Sequence, residues 1–344
     1  MTANTEFPRS GRGNRAGRLR LAVLGAALAV LVTGACGGSE SAQPPAGGST
    51  TSASSTNDRD AIGDDTYLSN AADFVAAADW SLSKPLRVEL GEMFFKPKSL
   101  TVQAGIPYVL ELVNTGKVEH EFTAAEFFRS SSIRKIRSEH SEVRVPFFTG
   151  IKVRAGETVK VYAIPVVPAT FKMLCEIPGH REAGMEGTIT VTGSKPAVPA
   201  PAFAAMKDAP WLHKVPDLVK ASDTIWNAKA VKVRIEAGDA GDKMYFKPKD
   251  LRLKVGTPYV IELVNVGKIL HEYTADGFFP TVAFRKAEDA AGEYTSPLLK
   301  EAEVEAGKRL YLHLIPTKAQ TYKIVCKLEG HEAAGMVGTI TVTE

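Results

Sequence analysis

The sequence predicts an all-β protein made of two tandem β-sandwich domains, and three observations support this. Segments such as SLTVQAG and PYVLELVN alternate apolar and polar residues with period two, as half-buried strands do. Glycine and proline turns separate these short segments, which favours an antiparallel sandwich. The whole pattern also occurs twice within 344 residues, a length typical of two or three domains.

The duplication is domain-sized. FKPKSLTVQAGIPYVLELVNTGKVEHEFTA in the first copy becomes FKPKDLRLKVGTPYVIELVNVGKILHEYTA in the second, and Phe95 corresponds to Phe246, 151 positions later. A period this long indicates a tandem duplication and not a solenoid. We therefore predict one domain over 64–193, a semi-rigid Pro/Ala-rich linker over 194–217, and a second domain over 218–344.

Short helical additions accompany the strands. NAADFVAAADW (residues 70–80) places its apolar residues on one helical face, and FFRSSSIRKIRSEH (127–140) also suggests a helix. Trp211, in the linker, is expected to dock on one of the domains.

The N-terminus predicts export. Residues 1–35 carry five arginines before an apolar run, Leu21–Thr33, that is too short for a mature membrane helix but typical of a signal peptide. Residues 36–63 are rich in Gly, Ser, Thr and Pro and predict a flexible tether. Small residues before Cys36 resemble a lipoprotein cleavage site, although Thr33 stands where leucine is usual. We expect a periplasmic or outer-face protein with a lipid anchor on Cys36, or, alternatively, ordinary cleavage and release.

Net charge argues against nucleic-acid binding, and the positions of the cysteines argue against a disulfide bond. The formal net charge of +3 falls to about −1 without the leader, so the chain lacks the basic footprint that nucleic-acid binding requires. Exported proteins usually pair their cysteines. A bridge between Cys175 and Cys326 is conceivable, but both occupy the same position of the repeat, which indicates that each serves its own copy.

One motif carries soft metal ligands in both copies. CEIPGHREAGMEGTITV and CKLEGHEAAGMVGTITV share the spacing C-x4-H-x4-M. Thiolate, imidazole and a weak thioether suit copper. Zinc is a weaker alternative because it seldom takes a thioether and its structural sites use further Cys or His.

A fourth ligand is available at the same place in each copy. His120 and His271, 151 positions apart, each follow a strand and a short turn, whereas the motif lies between two later strands. That arrangement predicts one cluster at one pole of each sandwich. Core packing alone does not explain two copies with matching upstream histidines. The predicted copper ligands are His120, Cys175, His180 and Met185 in the first copy, and His271, Cys326, His331 and Met336 in the second.

On these residues the chain resembles a tandem cupredoxin, of the plastocyanin, azurin and auracyanin family, over about residues 86–192 and 231–343. C-x4-H-x4-M followed by GTITV is similar to rusticyanin- and auracyanin-type members. The resemblance implies Greek-key β-sandwiches and two type 1 copper centres. Family members often have Asn or Ser after the first histidine, hydrogen-bonded near the cysteine sulfur. Glu121 and Glu272 stand there instead, which leaves that contact open.

The resemblance also implies where partners dock. In the family the second histidine presents its ring edge through an apolar patch. The residues predicted to line the two patches are Ile177, Pro178, Ala183 and Gly184 in the first copy, and Leu328, Ala333, Ala334 and Gly335 in the second.

A copper site closed by four protein ligands favours electron transfer between a donor and an acceptor protein, neither identified by the sequence. Copper scavenging, delivery or tolerance is the alternative, although exposed Met or His runs are absent.

Nitrite reductases and laccases need H-x-H pairs and a histidine beside the type 1 cysteine. Here no H-x-H occurs, Leu174 and Val325 precede the cysteines, and we predict no enzyme activity. His140, His213 and His313 have no counterparts across the repeat and are expected at the surface or in strands. The H-E-x-x-H zinc-protease pattern is not completed.

Overall fold

The computed structural model describes residues 65–210 and 216–344. The predicted signal peptide (1–35), tether (36–63) and lipidation residue Cys36 lie outside the described residues, as do Trp211 and His213. Among the described residues, no helix is long and apolar enough to cross a membrane.

The strands fall into two matching sets. The first half of the chain is defined here as residues 84–192 and the second half as residues 231–343. Before and within the first half, the strands are β1 (Thr66–Leu68), β2 (Lys84–Gly91), β3 (Phe94–Lys96), β4 (Ser99–Gln103), β5 (Tyr108–Asn114), β6 (His120–Thr123), β7 (Ser131–Arg137), β8 (Ser141–Arg144), β9 (Gly150–Val153), β10 (Thr158–Pro165), β11 (Ala169–Leu174) and β12 (Glu186–Thr192).

The strands that follow are β13 (Phe203–Ala205), β14 (Val231–Ala240), β15 (Lys243–Lys247), β16 (Asp250–Lys254), β17 (Tyr259–Asn265), β18 (His271–Thr274), β19 (Val282–Glu288), β20 (Gly292–Thr295), β21 (Glu301–Val304), β22 (Arg309–Pro316), β23 (Gln320–Val325) and β24 (Val337–Thr343). The helices are α1 (Ala71–Ala77), α2 (Ala125–Arg129) and α3 (Asp223–Lys229), with 3-10 turns at Trp80–Leu82, Met206–Asp208, Asp217–Lys220 and Phe279–Thr281.

The period-two pattern produces the strands that it predicts. In β4, Leu100 and Val102 are buried and the residues between and beside them are exposed. The all-β, tandem Greek-key sandwich class is therefore confirmed. One expectation was too simple, because the sheets are mixed and not purely antiparallel: β2 runs parallel to β5, and β4 runs parallel to β12. The second half repeats both parallel pairs.

The helix predicted over 127–140 is mostly wrong. Only the beginning is helical, in α2, and the chain then continues as β7. β7 pairs with β10 and with β8, so its backbone groups are satisfied by the sheet. Its branched residues Ile133 and Ile136 are buried in the core, a setting that favours strand over helix.

The helix predicted near residue 70 is present as α1. Phe74 of α1 packs with Leu68, Ile164 and Val166 in a small apolar cluster. In the second half α3 has the corresponding role, since its Trp226 is fully buried against Val260 and neighbouring apolar residues. The N-cap hydroxyl of Ser222 accepts a hydrogen bond from the Ile225 N–H and so begins α3. The apolar clusters around α1 and α3 contain none of the predicted copper ligands.

Both large sheets contain strands from both halves. β8 of the first half pairs with β21 of the second, and β9 of the first half pairs with β20 of the second. Each connection extends a sheet to eleven strands. The main apolar core also runs through residues of both halves. The two halves are thus joined by backbone hydrogen bonds and a shared core, in addition to the linker.

Candidate metal centres

The loop after β11 forms most of the first site. Cys175 directly follows β11, and Met185 directly precedes β12. The N–H of Cys175 donates to Met185 O at 3.0 Å, and the N–H of Met185 donates to His180 O at 3.1 Å. The loop after β23 repeats these bonds at Cys326, Met336 and His331. The C-x4-H-x4-M spacing therefore closes a compact loop on itself.

Glycines allow that loop to turn. Gly179 and Gly184 have φ of 87° and 103°, and Gly330 and Gly335 have φ of 80° and 102°. Residues with a Cβ rarely adopt these angles, so a glycine before the histidine and another before the methionine permit this loop shape.

The first histidine of each site is positioned by a buried asparagine. Asn114, at the end of β5, donates from Nδ2 to Val118 O at 2.8 Å and to Val153 O at 2.7 Å. Its Oδ1 accepts from the Gly116 N–H at 2.9 Å. These three bonds hold the turn that leads into His120. Asn265 makes the same bonds in the second half.

Two imidazoles and one thiol converge in each half. One ligand-type atom from each of His120, Cys175 and His180 lies within 4.8 Å of the others, and the same holds for His271, Cys326 and His331.

In the first site His180 Nδ1 lies 3.3 Å from His120 Nδ1 and 3.4 Å from Cys175 Sγ. In the second, His331 Nδ1 lies 3.2 Å from Cys326 Sγ. Met185 and Met336 are fully buried on the same loops.

Burial tunes the protonation of these groups. Burial, and next the neighbouring His180, lower the pKa of His120; burial and then His331 do the same for His271. Both rings are therefore neutral at pH 7, with a lone pair available for a metal. Burial raises the pKa of the Cys175 and Cys326 thiols. Metal binding must displace the thiol proton, so affinity increases with pH.

A backbone donor reaches each sulfur. The N–H of Glu121 donates to Cys175 Sγ, and the N–H of Glu272 donates to Cys326 Sγ, each at 3.3 Å. The donor is the main chain, so glutamate in place of Asn or Ser does not remove the contact to sulfur.

The donor set fits a copper ion. His271 Nδ1 is buried and has no hydrogen-bond partner among residues 65–210 and 216–344, although an unpaired buried nitrogen is costly. A metal bound at that nitrogen would satisfy it. Thiolate, two imidazoles and a nearby buried thioether make the N/S set that copper prefers.

The two sites differ in exposure. His180 is partly exposed, whereas His331 is buried. The β14–β15 hairpin accounts for part of this difference, since the N–H of Met244 donates to Ala334 O at 3.0 Å in the second loop. Of the predicted patch residues, Pro178, Ala183 and Gly184 are exposed around the first site. Around the second site Ala333 and Gly335 are exposed too, while Leu328 and Ala334 are half-buried.

The remaining described histidines stay outside both clusters. His313 lies in β22, as expected for a strand residue, and its Nε2 is 3.4 Å from Glu288. His140 is buried in the turn between β7 and β8, so the expectation of a surface or strand position is wrong for it. The N–H of Glu305, in the second half, donates to His140 O at 3.0 Å, so this turn contacts the other half, which the sequence pattern did not reveal.

A model of copper-binding proteins of the plastocyanin/azurin family matches residues 83–192 and 231–343, more than half of the chain. The chain belongs to this family. The resemblance seen in the sequence motifs is thereby confirmed, and each half of this copper-binding protein is one cupredoxin unit.

Two relatives share part of the sequence. One is a copper-resistant cuproprotein, CopI, of Pseudomonas aeruginosa, 25% identical over 138 residues, which span 32% of this chain and 76% of the relative. The other is CopI of Rubrivivax gelatinosus, 29% identical over 114 residues, which span 31% of this chain and 66% of the relative.

Two solved structures match the chain at low overall similarity. A copper nitrite reductase from Nitrosomonas europaea is 16% identical, with a TM-score of 0.28, covering 76% of this chain and 94% of that one. Reduced auracyanin from Roseiflexus castenholzii is 18% identical, with a TM-score of 0.24. The match covers 32% of this chain and 98% of the auracyanin chain.

Two kinds of site residue escaped the sequence analysis. The asparagines Asn114 and Asn265 were visible as the last letter of YVLELVN and YVIELVN, in both copies. The carboxylates Glu92 and Asp239, beside the first histidines, were hidden because they lie 147 and not 151 positions apart.

Proposed function

We propose that this chain is an exported electron-transfer protein with two type 1 copper centres, one in each half. The residues that would hold the first copper are His120, Cys175, His180 and Met185. Those that would hold the second are His271, Cys326, His331 and Met336. The observation that carries the proposal is the convergence of two imidazoles and one thiol in a buried pocket, in both halves. Copper in such a set cycles between Cu(I) and Cu(II) with little rearrangement.

Burial of the ligands argues against chemistry on a substrate. His120, Cys175 and Met185 are fully buried, so a substrate has no direct approach to the ligand cluster. His140 and His313 do not join a second histidine cluster in the described part of the chain. These observations support an electron carrier over a nitrite reductase or an oxidase, and assays for nitrite reduction and phenol oxidation by the copper-loaded protein should show no turnover.

The first site is the better candidate for contact with a redox partner. His180 is the most exposed of the predicted ligands, and a surface crevice beside it is lined by Glu119, Glu121, Glu176 and Lys152. Electrons would enter or leave through the His180 ring edge, with a donor and an acceptor protein both still to be identified.

Copper handling is the second candidate function. It is favoured by the two relatives, both of which carry the name of a copper-resistant cuproprotein. The alternatives differ in how readily the metal leaves: a carrier of electrons retains its copper, whereas a delivery protein releases Cu(I) to an acceptor.

Copper-to-protein stoichiometry with the visible spectrum, before and after ascorbate, tests the main proposal. Two coppers per chain and a thiolate-to-Cu(II) charge-transfer band that ascorbate bleaches are expected. One copper per chain, or no such band, would contradict the two-centre model. Rapid loss of Cu(I) to a competing chelator, without electron transfer to a small redox protein, would favour copper handling instead.

Export and anchoring are tested separately. We propose that the leader is removed and that Cys36 carries a lipid at the outer face of the membrane. The full-length protein should fractionate with membranes, and Cys36→Ser should release it. Recovery of the unaltered protein in the soluble fraction would instead indicate cleavage and release.

A further inference from the structure

Each strand-borne histidine has a carboxylate beside its outer ring nitrogen. Asp239 Oδ1 lies 3.6 Å from His271 Nε2. In the first half Glu92 is in the corresponding place: a Cβ added to Gly116 would meet both Glu92 Oε2, at 2.7 Å, and His120 Nε2, at 2.9 Å. Both Nε2 atoms are buried without a hydrogen-bond partner among the described residues.

Glu92 and Asp239 are equivalent residues. Glu92 follows Gly91, the last residue of β2, and Asp239 follows Gly238 of β14. The two strands have the same register, with Leu90 opposite Asn114 and Ala237 opposite Asn265. The carboxylates lie 147 positions apart, and the histidines 151, because the second hairpin is four residues longer. A carboxylate is thus present at this place in both copies.

The chain around each carboxylate holds it toward the ring. The N–H of Lys117 donates to Glu92 Oε1 at 2.5 Å, and the N–H of Lys268 donates to Asp239 Oδ1 at 2.8 Å. Gly116 and Gly267 leave the space, since a Cβ at Gly267 would clash with Asp239 Oδ1 and lie 2.8 Å from His271 Nε2.

We propose that Glu92 and Asp239 are positioning residues for the copper ligands His120 and His271. Each carboxylate favours the tautomer with the proton on Nε2, which turns the Nδ1 lone pair toward the cysteine. A negative charge there also makes the imidazole a stronger donor and stabilises Cu(II) relative to Cu(I). This inference rests on the proposed assignment of both histidines as copper ligands.

The effect is larger at the second site. Asp239 is 22% exposed, whereas Glu92 is an exposed residue. Water and salt screen an exposed charge more strongly. Removing the Asp239 charge should therefore shift the reduction potential of its copper site more than removing the Glu92 charge shifts that of the first site.

If Glu92 and Asp239 had only a structural role, they would stabilise the turn by accepting the hydrogen bond from the Lys117 or Lys268 N–H. Glu92→Gln and Asp239→Asn separate the two roles, because an amide oxygen still accepts that hydrogen bond but carries no charge. Glu89→Gln and Glu236→Gln are matched controls. They remove the same charge from the same strands, where both side chains face basic residues and not the histidines.

The reduction potential is measured with one copper at a time, Glu92→Gln in a Cys326→Ser background and Asp239→Asn in a Cys175→Ser background. We expect Cu(II) affinity, relative to Cu(I), to fall about tenfold at the altered site, which raises its potential by about 59 mV. Asp239→Glu retains a carboxylate, so its potential should be shifted much less than that of Asp239→Asn. Potentials equal to those of the matched controls would overturn the proposal.

A metal-free measurement keeps the test independent of copper chemistry. Nitrogen NMR of the folded apoprotein should show His271 protonated on Nε2, and Asp239→Ala should shift the ring toward a mixture of tautomers. An unchanged tautomer in Asp239→Ala would refute the positioning role. A changed tautomer in a protein that never forms type 1 copper would refute the proposed function alone.

Discussion

Ser138 and Asp289 occupy equivalent positions in the two halves, 151 residues apart, and Ser138 Oγ donates to Asp289 Oδ2 at 2.6 Å. Equivalent residues touch each other where a twofold axis relates two copies. The strand pairs agree, because Gly292 opposite Val153 is matched by Ser141 opposite Val304. The halves therefore pack as a pseudo-twofold dimer within one chain.

Replacing Asp289 by Ala should destabilise both halves together. Asp289 is buried and also accepts from Ser141 at 2.6 Å, from Tyr294 at 3.0 Å and from the N–H of Ala291 at 2.8 Å. Leaving these donors unpaired should cost at least about 3 kcal/mol. Urea unfolding measures the loss, with Ser138→Ala expected to cost less. A shared interface predicts one unfolding transition, whereas two transitions with only the second displaced would contradict it.

Asn114→Ala should loosen the first copper site without touching a ligand. The change leaves the buried Val153 carbonyl and the partly buried Val118 carbonyl without their donor, which should cost about 2–3 kcal/mol. The turn before His120 then becomes mobile, so copper should dissociate faster from the first site only. Chelator-driven copper loss measures the rate. Asn265→Ala is the matched variant, and it should affect the second site instead.

Acid should weaken the interface through Glu288. A hydrogen bond from His313 lowers the pKa of Glu288 to about 2, burial opposes this, and Lys286 and Arg154 of the other half add to the lowering. The folded-state pKa lies below the unfolded value of about 4.3, so the stabilisation is complete above pH 5 and is lost as pH falls through about 2.

Glu288→Gln should therefore be less stable than the unaltered protein at pH 6, by about 2–3 kcal/mol, and the two should converge near pH 2. Denaturant unfolding across this pH range provides the measurement, and Glu126→Gln, on the exposed side of α2, is the control. A difference that stays constant with pH would show that Glu288 acts by packing and not by charge.

Cys175→Ser should remove about half of the charge-transfer band if the two copper centres absorb equally and independently. A serine hydroxyl is a poor copper ligand and has no thiolate charge transfer. Cys326→Ser should remove the other half, and the double variant should be colourless. Loss of the whole band from either single variant would mean that the centres depend on each other.

The sequence by itself determined the fold class and the copper-type clusters of this protein. Alternation with period two identifies strands because side chains alternate faces, and C-x4-H-x4-M closes one loop through local hydrogen bonds. The duplication then selected His120 and His271 from among the histidines. Each of these inferences needs only local geometry or internal repetition.

Tertiary structure alone decided how the halves combine and what surrounds the ligands. β8 and β21 pair across about 160 residues, Arg144 opposite Glu301 and Ser141 opposite Val304, which no local pattern encodes. Pairing of residues 131–137 with β10 and β8 made most of the expected helix over 127–140 the strand β7. Asp239 lies near His271 because the end of β14 packs beside the turn at Gly267. Contacts between distant segments depend on strand order and packing, which is why the carboxylates and the pseudo-twofold interface emerged only in the folded chain.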